Sequence, residues 1–217
     1  EALYKSGWIE NEREQFASAL TFLEKARRIK NDESGVYVDM GFAYSRLRRA
    51  DEAIAAFDKA TQINSWQFKA WHGLGDVYFD LKQDYQAATK YYQKAYYFRA
   101  DDPVVNYRLG LCYEENQKFE EAEPYLRRVA DRVLGFVPGQ TELGFCYWNL
   151  RDYDSARDRY ERALKIDPEN IQAHFFLGRT LLMQGQSGRA LNEVEALKRR
   201  APELSRKLQA EINAGKI

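Results

Sequence analysis

The chain has 217 residues, of which 45% are apolar and 30% are charged, a composition that can supply a hydrophobic core for one or two domains. Its 33 lysines and arginines balance its 33 aspartates and glutamates, which excludes a net field that would draw the whole molecule to nucleic acid or to an anionic membrane. Two cysteines are too few for a disulfide framework, and no run approaches the roughly 20 apolar residues of a membrane-spanning helix, so we expect no direct membrane insertion.

The N-terminal residues contain no basic-then-apolar signal sequence. The chain begins at Glu1 without a methionine and already inside a helical pattern, which predicts that a signal, an anchor or further repeats could precede it in the natural protein. From the residues present we expect the cytoplasm or another soluble compartment.

Two residue series run through the chain with the same period. The first consists of glycines separated by 34, 34, 35, 34 and 34 residues, namely Gly7, Gly41, Gly75, Gly110, Gly144 and Gly178. The second trails each glycine by 12 or 13 residues and consists of Ala19, Ala53, Ala88, Ala122, Ala156 and Ala190. The agreement of the two series predicts six copies of one structural unit.

Each unit is predicted to contain two helices. The pattern around the glycines is large-x-x-Leu-Gly-x-x-Tyr, complete at Trp71, Leu74, Gly75 and Tyr78, and its spacing of three and four residues marks one face of a helix. The pattern around the alanines is Ala-x-x-x-large, which marks a second one-faced helix. Prolines mark the boundaries of these helices. Pro103 and Pro138 lie where first helices begin, and Pro168 and Pro202 follow second helices.

With this period and these motifs the sequence resembles the tetratricopeptide repeat family over nearly its whole length. The resemblance implies an all-α fold, a right-handed α-solenoid superhelix of six helix-turn-helix repeats closed by a C-terminal capping helix. As one domain over 1–217, the repeats are predicted at about 1–33, 34–67, 68–102, 103–136, 137–170 and 171–202, with the capping helix at about 203–214. Glycine and alanine would stand where two helices approach closely.

Several positions depart from the repeat pattern. Repeat one has Ser6 and Glu10 where other repeats have Leu or Met and usually Tyr, which suits either a terminal cap or a repeat that lacks its upstream neighbour. Repeat three has one extra residue near Gln83, and Pro124 falls inside a second helix, where it predicts a kink. After Pro202, a single apolar stripe predicts the cap helix, which stops near Gly215.

The sequence offers little for catalysis, so we expect no enzyme activity, no cofactor, no metal and no small-molecule substrate. The two histidines are His72 and His174, and His174 occupies a position that large packing residues fill in other repeats. Cys112 and Cys146 occupy equivalent positions in successive first helices, where a disulfide could not span the helix packing distance, and are expected to be free thiols. Neither metal-binding nor phosphate-binding motifs occur.

In the family that the sequence resembles, the remaining face of the first helices lines a concave groove. Here that face is rich in aromatic side chains, and exposed apolar surface of this kind usually marks a binding site for another protein. Polar residues between them could fix the register of a peptide or helix. The predicted partner-binding residues are Tyr4, Trp8, Val38, Asp39, Phe42, Arg46, Lys69, His72, Asp76, Phe79, Tyr107, Arg108, Leu111, Phe145, Trp148, Phe175, Phe176, Arg179 and Leu182.

The leading hypothesis is therefore a non-catalytic scaffold that binds a peptide or a partner protein in this groove. Packing between neighbouring first helices is the structural alternative for each aromatic residue. Self-assembly into a homo-oligomer through the groove and the terminal repeat, including Leu3 and Phe16, is the second functional hypothesis. Single-stranded nucleic acid is the third, suggested by Arg46, Arg48 and Arg49 and by Lys198, Arg199 and Arg200, and the balanced charge argues against it.

One known ligand class of the family is disfavoured. Some members grip a terminal carboxylate with lysines and asparagines on three successive first helices, and in this sequence Lys69 and Arg108 stand without the asparagines. The sequence thus predicts no clamp for the tail of a chaperone.

Overall fold

The structure, a computed structural model, describes residues 1–215. Among these residues every regular element is helical, as predicted. The chain divides into two compact units, Glu1–Asn116 and Gln117–Ile217. The division falls inside the fourth predicted repeat, 103–136.

The first unit contains three helical hairpins and one further helix. Its helices are α1 (Ala2–Glu12), α2 (Phe16–Ile29), α3 (Ser34–Arg46), α4 (Ala50–Ile63), α5 (Phe68–Asp76), α6 (Tyr85–Phe98) and α7 (Pro103–Glu115). Each hairpin pairs consecutive helices, and its second helix packs on the first helix of the next. The core of the unit is thus shared between neighbouring hairpins, because no single hairpin can bury its apolar face alone.

The second unit contains one helix, two hairpins and a closing helix. Its helices are α8 (Phe119–Arg132), α9 (Val137–Asn149), α10 (Tyr153–Ile166), α11 (Ile171–Met183), α12 (Ser187–Leu197) and α13 (Pro202–Ala214). Pro103 and Pro138 lie in the first turns of α7 and α9, as the sequence predicted. Pro124 lies inside α8.

The repeat glycines lie where a large side chain of the second helix meets the first helix. A Cβ on these glycines would lie 2.6 Å from the partner side chain in three pairs and 2.7 Å in the fourth, closer than atoms can pack. The partner side chains are buried at the Ala-x-x-x-large positions. The pairs are Gly7 with Leu23, Gly41 with Phe57, Gly75 with Tyr92, and Gly144 with Tyr160. The predicted close approach of the two helices is confirmed.

The turn after each first helix contains one residue with a positive φ. Five are not glycine, and the positions are Glu14 (59°), Arg48 (58°), Gln83 (54°), Gln117 (57°), Arg151 (61°) and Gly185 (72°). The next amide then reaches back along the helix, as Arg49 N does to Tyr44 O at 2.9 Å. This left-handed residue reverses the chain at each turn.

The extra residue of repeat three is accommodated before Gln83. Helix α5 continues into a π-helical turn, Val77–Lys82, in which the wider ring absorbs one residue. Asp84 N then donates to Tyr78 O at 2.9 Å and α6 begins in the usual register. The position of the extra residue was predicted correctly, and the structure shows that the π-helical turn accommodates it.

The closing helix α13 completes the core of the second unit. It begins at Pro202 and ends before Gly215, as predicted, and Gly215 has a φ of 62°. Leu208 is fully buried and packs with Phe175, Val194 and Leu197. A Cβ on Gly178 would lie 2.4 Å from Leu208 Cδ2, so α13 supplies the large side chain that this glycine accommodates.

Candidate functional site

The predicted partner-binding residues lie on the first helices α1, α3, α5, α7, α9 and α11 and on the π-helical turn, and we call this set the first-helix surface. Val38 and Phe175 are only 3% and 6% exposed and belong to the core. Trp8, Arg46 and Lys69 are exposed, and the remaining residues are half-buried.

In the first unit, three of the predicted residues line one pocket. The pocket has a volume of about 270 Å³ and is lined by Phe42, Phe68, Lys69, His72, Asp102 and Val104. We call it the Lys69 pocket. Its walls are mainly apolar, and Val104 at its rim is 52% exposed. A pocket of this kind suits one apolar side chain of a ligand.

The walls of the Lys69 pocket are held by contacts within the unit. The Phe42 ring packs edge-on against the buried Phe57 ring, with centroids 5.1 Å apart. The Arg99 guanidinium lies over the Phe68 ring at 4.3 Å. Asp102 Oδ1 accepts hydrogen bonds from the amides of residues 104 and 105 at 3.0 and 3.1 Å, which fixes the start of α7. The pocket is therefore formed before any ligand binds.

Lys69 differs from the other charged residues of the pocket. Its ammonium group is exposed and forms no ion pair or hydrogen bond within residues 1–215. An anionic group of a ligand could therefore pair with it without breaking an existing contact.

The charged residues deeper on α5 and α7 bind one another. Asp76 Oδ2 lies 3.0 Å from His72 Nδ1, and Asp76 Oδ1 accepts a hydrogen bond from the Tyr92 hydroxyl at 2.6 Å. Arg108 donates two hydrogen bonds of 3.2 Å to the Asp80 carboxylate. Burial, followed by the charge of Asp76, raises the pKa of Tyr92. These groups stabilise the packing of α5, α6 and α7, and a ligand would have to compete for them.

A second polar pair joins α1 to α3. Burial raises the pKa of Asp39 on α3 to about 6, while interaction with the Tyr4 hydroxyl of α1 and the charge of Lys69 oppose that rise. Asp39 Oδ2 is buried and has no hydrogen-bond partner. Charged Asp39 therefore destabilises the fold relative to its neutral form.

Replacing Asp39 with asparagine should stabilise the protein in a pH-dependent way. Because the folded pKa of about 6 exceeds the unfolded value of 3.8, the native state binds more protons between these values, and wild-type stability falls as pH rises through that window. The shift corresponds to roughly 3 kcal/mol, reduced to about 1–2 kcal/mol by partial exposure to water. Urea titrations should thus show a gain for Asp39→Asn that appears between pH 4 and 6. A gain that is constant over this range would contradict the assignment.

The remaining predicted residues of the first unit have mixed surroundings. Trp8 is 49% exposed on α1, and Arg46 lies 4.0 Å from Glu14. The Phe79 ring lies beneath the Arg108 guanidinium at 5.1 Å. Tyr107 and Leu111, on α7, are half-buried.

In the second unit the predicted aromatic residues pack against one another. The Phe176 ring lies 5.3 Å from Phe145 and 6.3 Å from Trp148, measured between centroids. The Arg179 guanidinium covers the Trp148 ring at 4.7 Å and pairs with Glu211 of α13 at 3.2 Å. Leu182 is half-buried on the same helix. This part of the first-helix surface is thus mostly occupied by intramolecular contacts, including those of α13.

The groups with catalytic potential have structural roles. His174 Nδ1 lies 2.6 Å from Glu193 and its Nε2 lies 2.9 Å from Pro168 O. The Glu193 hydrogen bond raises the pKa of His174. Cys112 and Cys146 are buried thiols outside any disulfide, as predicted, and burial raises the pKa of Cys112 to about 12. Within residues 1–215 no cluster of three metal-ligating side chains occurs, and no helix has the length and apolar character of a membrane span.

The sequence analysis missed two aromatic or aliphatic residues of the Lys69 pocket. Phe68 lies one helical turn before His72, and Val104 lies one turn before Tyr107 and Arg108. Extending the stripe by one turn toward the start of each first helix would have identified both.

Comparison with protein families identifies the repeats directly. Models described as tetratricopeptide repeat match residues 34–65, 68–102, 104–132 and 148–212. Among curated proteins, anaphase-promoting complex subunit 3 of Schizosaccharomyces pombe is 24% identical over 87% of this chain. Anaphase-promoting complex subunit 6 of Arabidopsis thaliana is 28% identical over 79% of it. The chain spans only 23% and 32% of the length of these two relatives.

Solved structures show the same fold. The chain superimposes with a TM-score of 0.81 and 22% identity on YrrB, described as a TPR protein with an unusual peptide-binding site, covering 87% of this chain and 97% of that one. It superimposes on pilF of Pseudomonas aeruginosa with a TM-score of 0.78 and 19% identity, covering 97% and 96%. The repeat motifs, the helical hairpins and the family matches agree, and the chain belongs to the tetratricopeptide repeat family.

Proposed function

We propose that this protein is a non-catalytic interaction module that binds a peptide segment of a partner protein through its first-helix surface, with the Lys69 pocket as the anchoring point. The observation that carries the proposal is the preformed apolar pocket beside an unpaired ammonium group. The relatives named as anaphase-promoting complex subunits, and the structure named for its peptide-binding site, support a role in protein interaction.

The pocket indicates the ligand chemistry. Phe42, Phe68 and Val104 offer apolar contact to one large side chain, and burying such a side chain contributes about 1.5–3 kcal/mol. Lys69 offers its charge to a carboxylate, either a side chain or a terminal group. The expected ligand is a segment in which an apolar residue stands next to an acidic one.

Charge reversal at position 69 should weaken peptide binding. Peptides selected from a random displayed library on the wild-type protein should bind Lys69→Glu at least about tenfold more weakly, because the variant replaces an attraction by a repulsion at the pocket rim. Fluorescence polarisation with the labelled peptides measures both dissociation constants. Lys165→Glu is the matched control, since Lys165 is also exposed and lies on α10.

Circular dichroism of both variants is needed to check that the helices are retained. Selected peptides that bind wild-type protein and Lys69→Glu equally well would place their site elsewhere and would refute the Lys69 pocket as the anchor.

Homo-oligomer formation is a second candidate, favoured by the exposed apolar residues of α1. Trp8 and Ile9 are 49% and 40% exposed, and Leu3 and Phe16 are half-buried at the same end of the first unit. Multi-angle light scattering over a concentration series tests it: a mass that rises with concentration in wild type but not in Trp8→Ser supports assembly through α1. A constant monomer mass refutes it.

Nucleic-acid binding finds less support. Arg49 pairs with Glu52 at 2.7 Å, and Lys198 pairs with Glu195 at 2.7 Å. Arg199 and Arg200 both pair with Glu169. Most of the clustered basic groups therefore already have anionic partners, whereas affinity for phosphates depends on several free cations.

A further inference from the structure

A second cavity lies on the second helix of repeat three and shares no lining residue with the Lys69 pocket. Its volume is about 740 Å³, and its main walls are Trp66, Trp71, Lys90, Lys94, Tyr97 and Phe98. Trp66 lies in the turn between α4 and α5, Trp71 lies on α5, and the other residues lie on α6. We call this cavity the Trp66 cleft.

The aromatic rings of the Trp66 cleft are unusually exposed. Trp66 is 73% exposed and Tyr97 is 77% exposed, whereas large aromatic side chains normally bury most of their surface. Leaving such side chains in water costs about 1.5–3 kcal/mol each relative to burial. The Trp66 and Tyr97 rings each contact Phe98 and still leave most of their surface in water, and exposed apolar surface of this kind marks a binding site.

The cleft is held in shape by its own contacts. Trp66 N donates to Asn64 Oδ1 at 3.0 Å, and Trp71 Nε1 donates to Ser65 O at 2.8 Å, so both ends of the turn are fixed. The Trp66 and Phe98 rings are in contact, with centroids 5.4 Å apart. A ligand would therefore meet a preformed surface and lose little affinity to ordering it.

The charge of the cleft has one sign. Lys90 and Lys94 lie one turn apart on α6, are exposed, and form no ion pair within residues 1–215. Two like charges at this spacing repel each other slightly in the free protein. An anionic ligand relieves that repulsion and gains attraction to both ammonium groups.

We propose that the Trp66 cleft binds an acidic segment of a partner protein, in which an aromatic or aliphatic side chain packs on the exposed Trp66 and Tyr97 rings and flanking carboxylates pair with Lys90 and Lys94. The ring geometry favours a peptide over single-stranded nucleic acid. Tyr97 and Phe98 stand nearly perpendicular, at 83°, and so offer no row of parallel faces for successive bases. Two cations are also few for a phosphate backbone.

The test is a subtractive selection. A random displayed peptide library is enriched on the wild-type protein and depleted on the Trp66→Ser, Tyr97→Ser double variant, whose changed side chains are exposed. The surviving peptides should contain acidic residues next to a large apolar residue. By fluorescence polarisation they should bind the Lys90→Glu, Lys94→Glu variant at least about tenfold more weakly than wild type, with an affinity that falls as salt is raised.

Two controls make the result specific. The Lys118→Glu, Lys165→Glu variant carries the same change in net charge on other exposed lysines and should bind the peptides as wild type does. Lys69→Glu should also bind them normally, so failure of this proposal and failure of the Lys69 pocket are told apart. Circular dichroism confirms that each variant is folded.

Three outcomes would overturn the proposal. The first is that no peptide survives the subtraction, or that the survivors lack acidic residues. The second is equal binding to wild type and to Lys90→Glu, Lys94→Glu. The third is that the double aromatic variant abolishes binding of a single-stranded oligothymidylate or self-association of the protein, which would assign the cleft to nucleic acid or to a second copy.

Discussion

Replacing Gly73 with alanine should lower the free energy of unfolding by about 3 kcal/mol. The new Cβ would lie 2.3 Å from Phe57 Cζ, far inside van der Waals contact. The Phe57 ring has little room to move, because it is fully buried and its Cε1 atom already lies against Gly41, where a Cβ would be 2.6 Å away. The clash therefore outweighs the roughly 1 kcal/mol that alanine contributes to helix stability.

Gly188→Ala is the matched control for this prediction. Gly188 lies in α12, where a Cβ would meet nothing within 4 Å, so the same substitution should stabilise the protein by up to about 1 kcal/mol. Adding Phe57→Leu to Gly73→Ala should recover part of the loss, because the smaller side chain leaves room for the methyl group. Urea titration followed by circular dichroism measures all variants, and equal effects of Gly73→Ala and Gly188→Ala would show that Phe57 does not constrain this approach.

Replacing Leu208 with alanine should cost about 3 kcal/mol. Leu208 is fully buried beneath α11 and joins Phe175, Val194 and Leu197 in one apolar cluster. The Leu208 Cδ2 atom fills the space that a side chain on Gly178 would need. Truncation of Leu208 therefore leaves a cavity beside the Gly178 backbone. Loosening of α13 would also expose the apolar face of α11.

Leu191→Ala, on α12, is the matched control. Leu191 is 43% exposed, and its truncation should cost about 1 kcal/mol or less, since little buried surface is lost. Unfolding titrations of the two variants compare the same chemical change at a buried and an exposed position. Similar losses for Leu208→Ala and Leu191→Ala would mean that α13 does not close the core of the second unit.

The hairpins could be predicted from the sequence because their packing imposes a strict composition. A glycine such as Gly41 must face a ring such as Phe57, and Gly144 with Tyr160 repeats this pair at the same spacing. A periodic constraint of this kind is visible in a single sequence. The closing helix was predictable for the same reason. The apolar stripe that contains Leu208 is buried against the last hairpin.

The local conformations were less predictable. The extra residue near Gln83 was visible as a longer spacing, but spacing alone does not distinguish a longer turn from the π-helical turn that begins at Val77. Residues such as Arg48 and Gln83 adopt a positive φ without being glycine, so composition gave no signal for these turns.

The positions of the candidate site were predictable from the sequence. Which of their side chains form ion pairs within the protein was not predictable. Arg108 lies on the first-helix surface, yet it binds Asp80, and Arg179 binds Glu211 on the closing helix. Such pairs depend on which helices become neighbours, and one sequence does not reveal them. Lys69 forms no ion pair or hydrogen bond within residues 1–215, and its neighbours Phe68 and Val104 were found only when the start of each helix could be placed.

Site-specific photo-crosslinking tests most directly whether a partner segment occupies the Lys69 pocket. A photoreactive amino acid is introduced at position 69 or 104, both at the pocket, or at position 165 as the control, and the products formed in living cells are identified by mass spectrometry. We expect one peptide segment of another protein to be attached at positions 69 and 104 and absent at 165. Adducts that are equally abundant at 165, or their absence at both pocket positions, would contradict the assignment of this protein as a peptide-binding module that acts through that pocket.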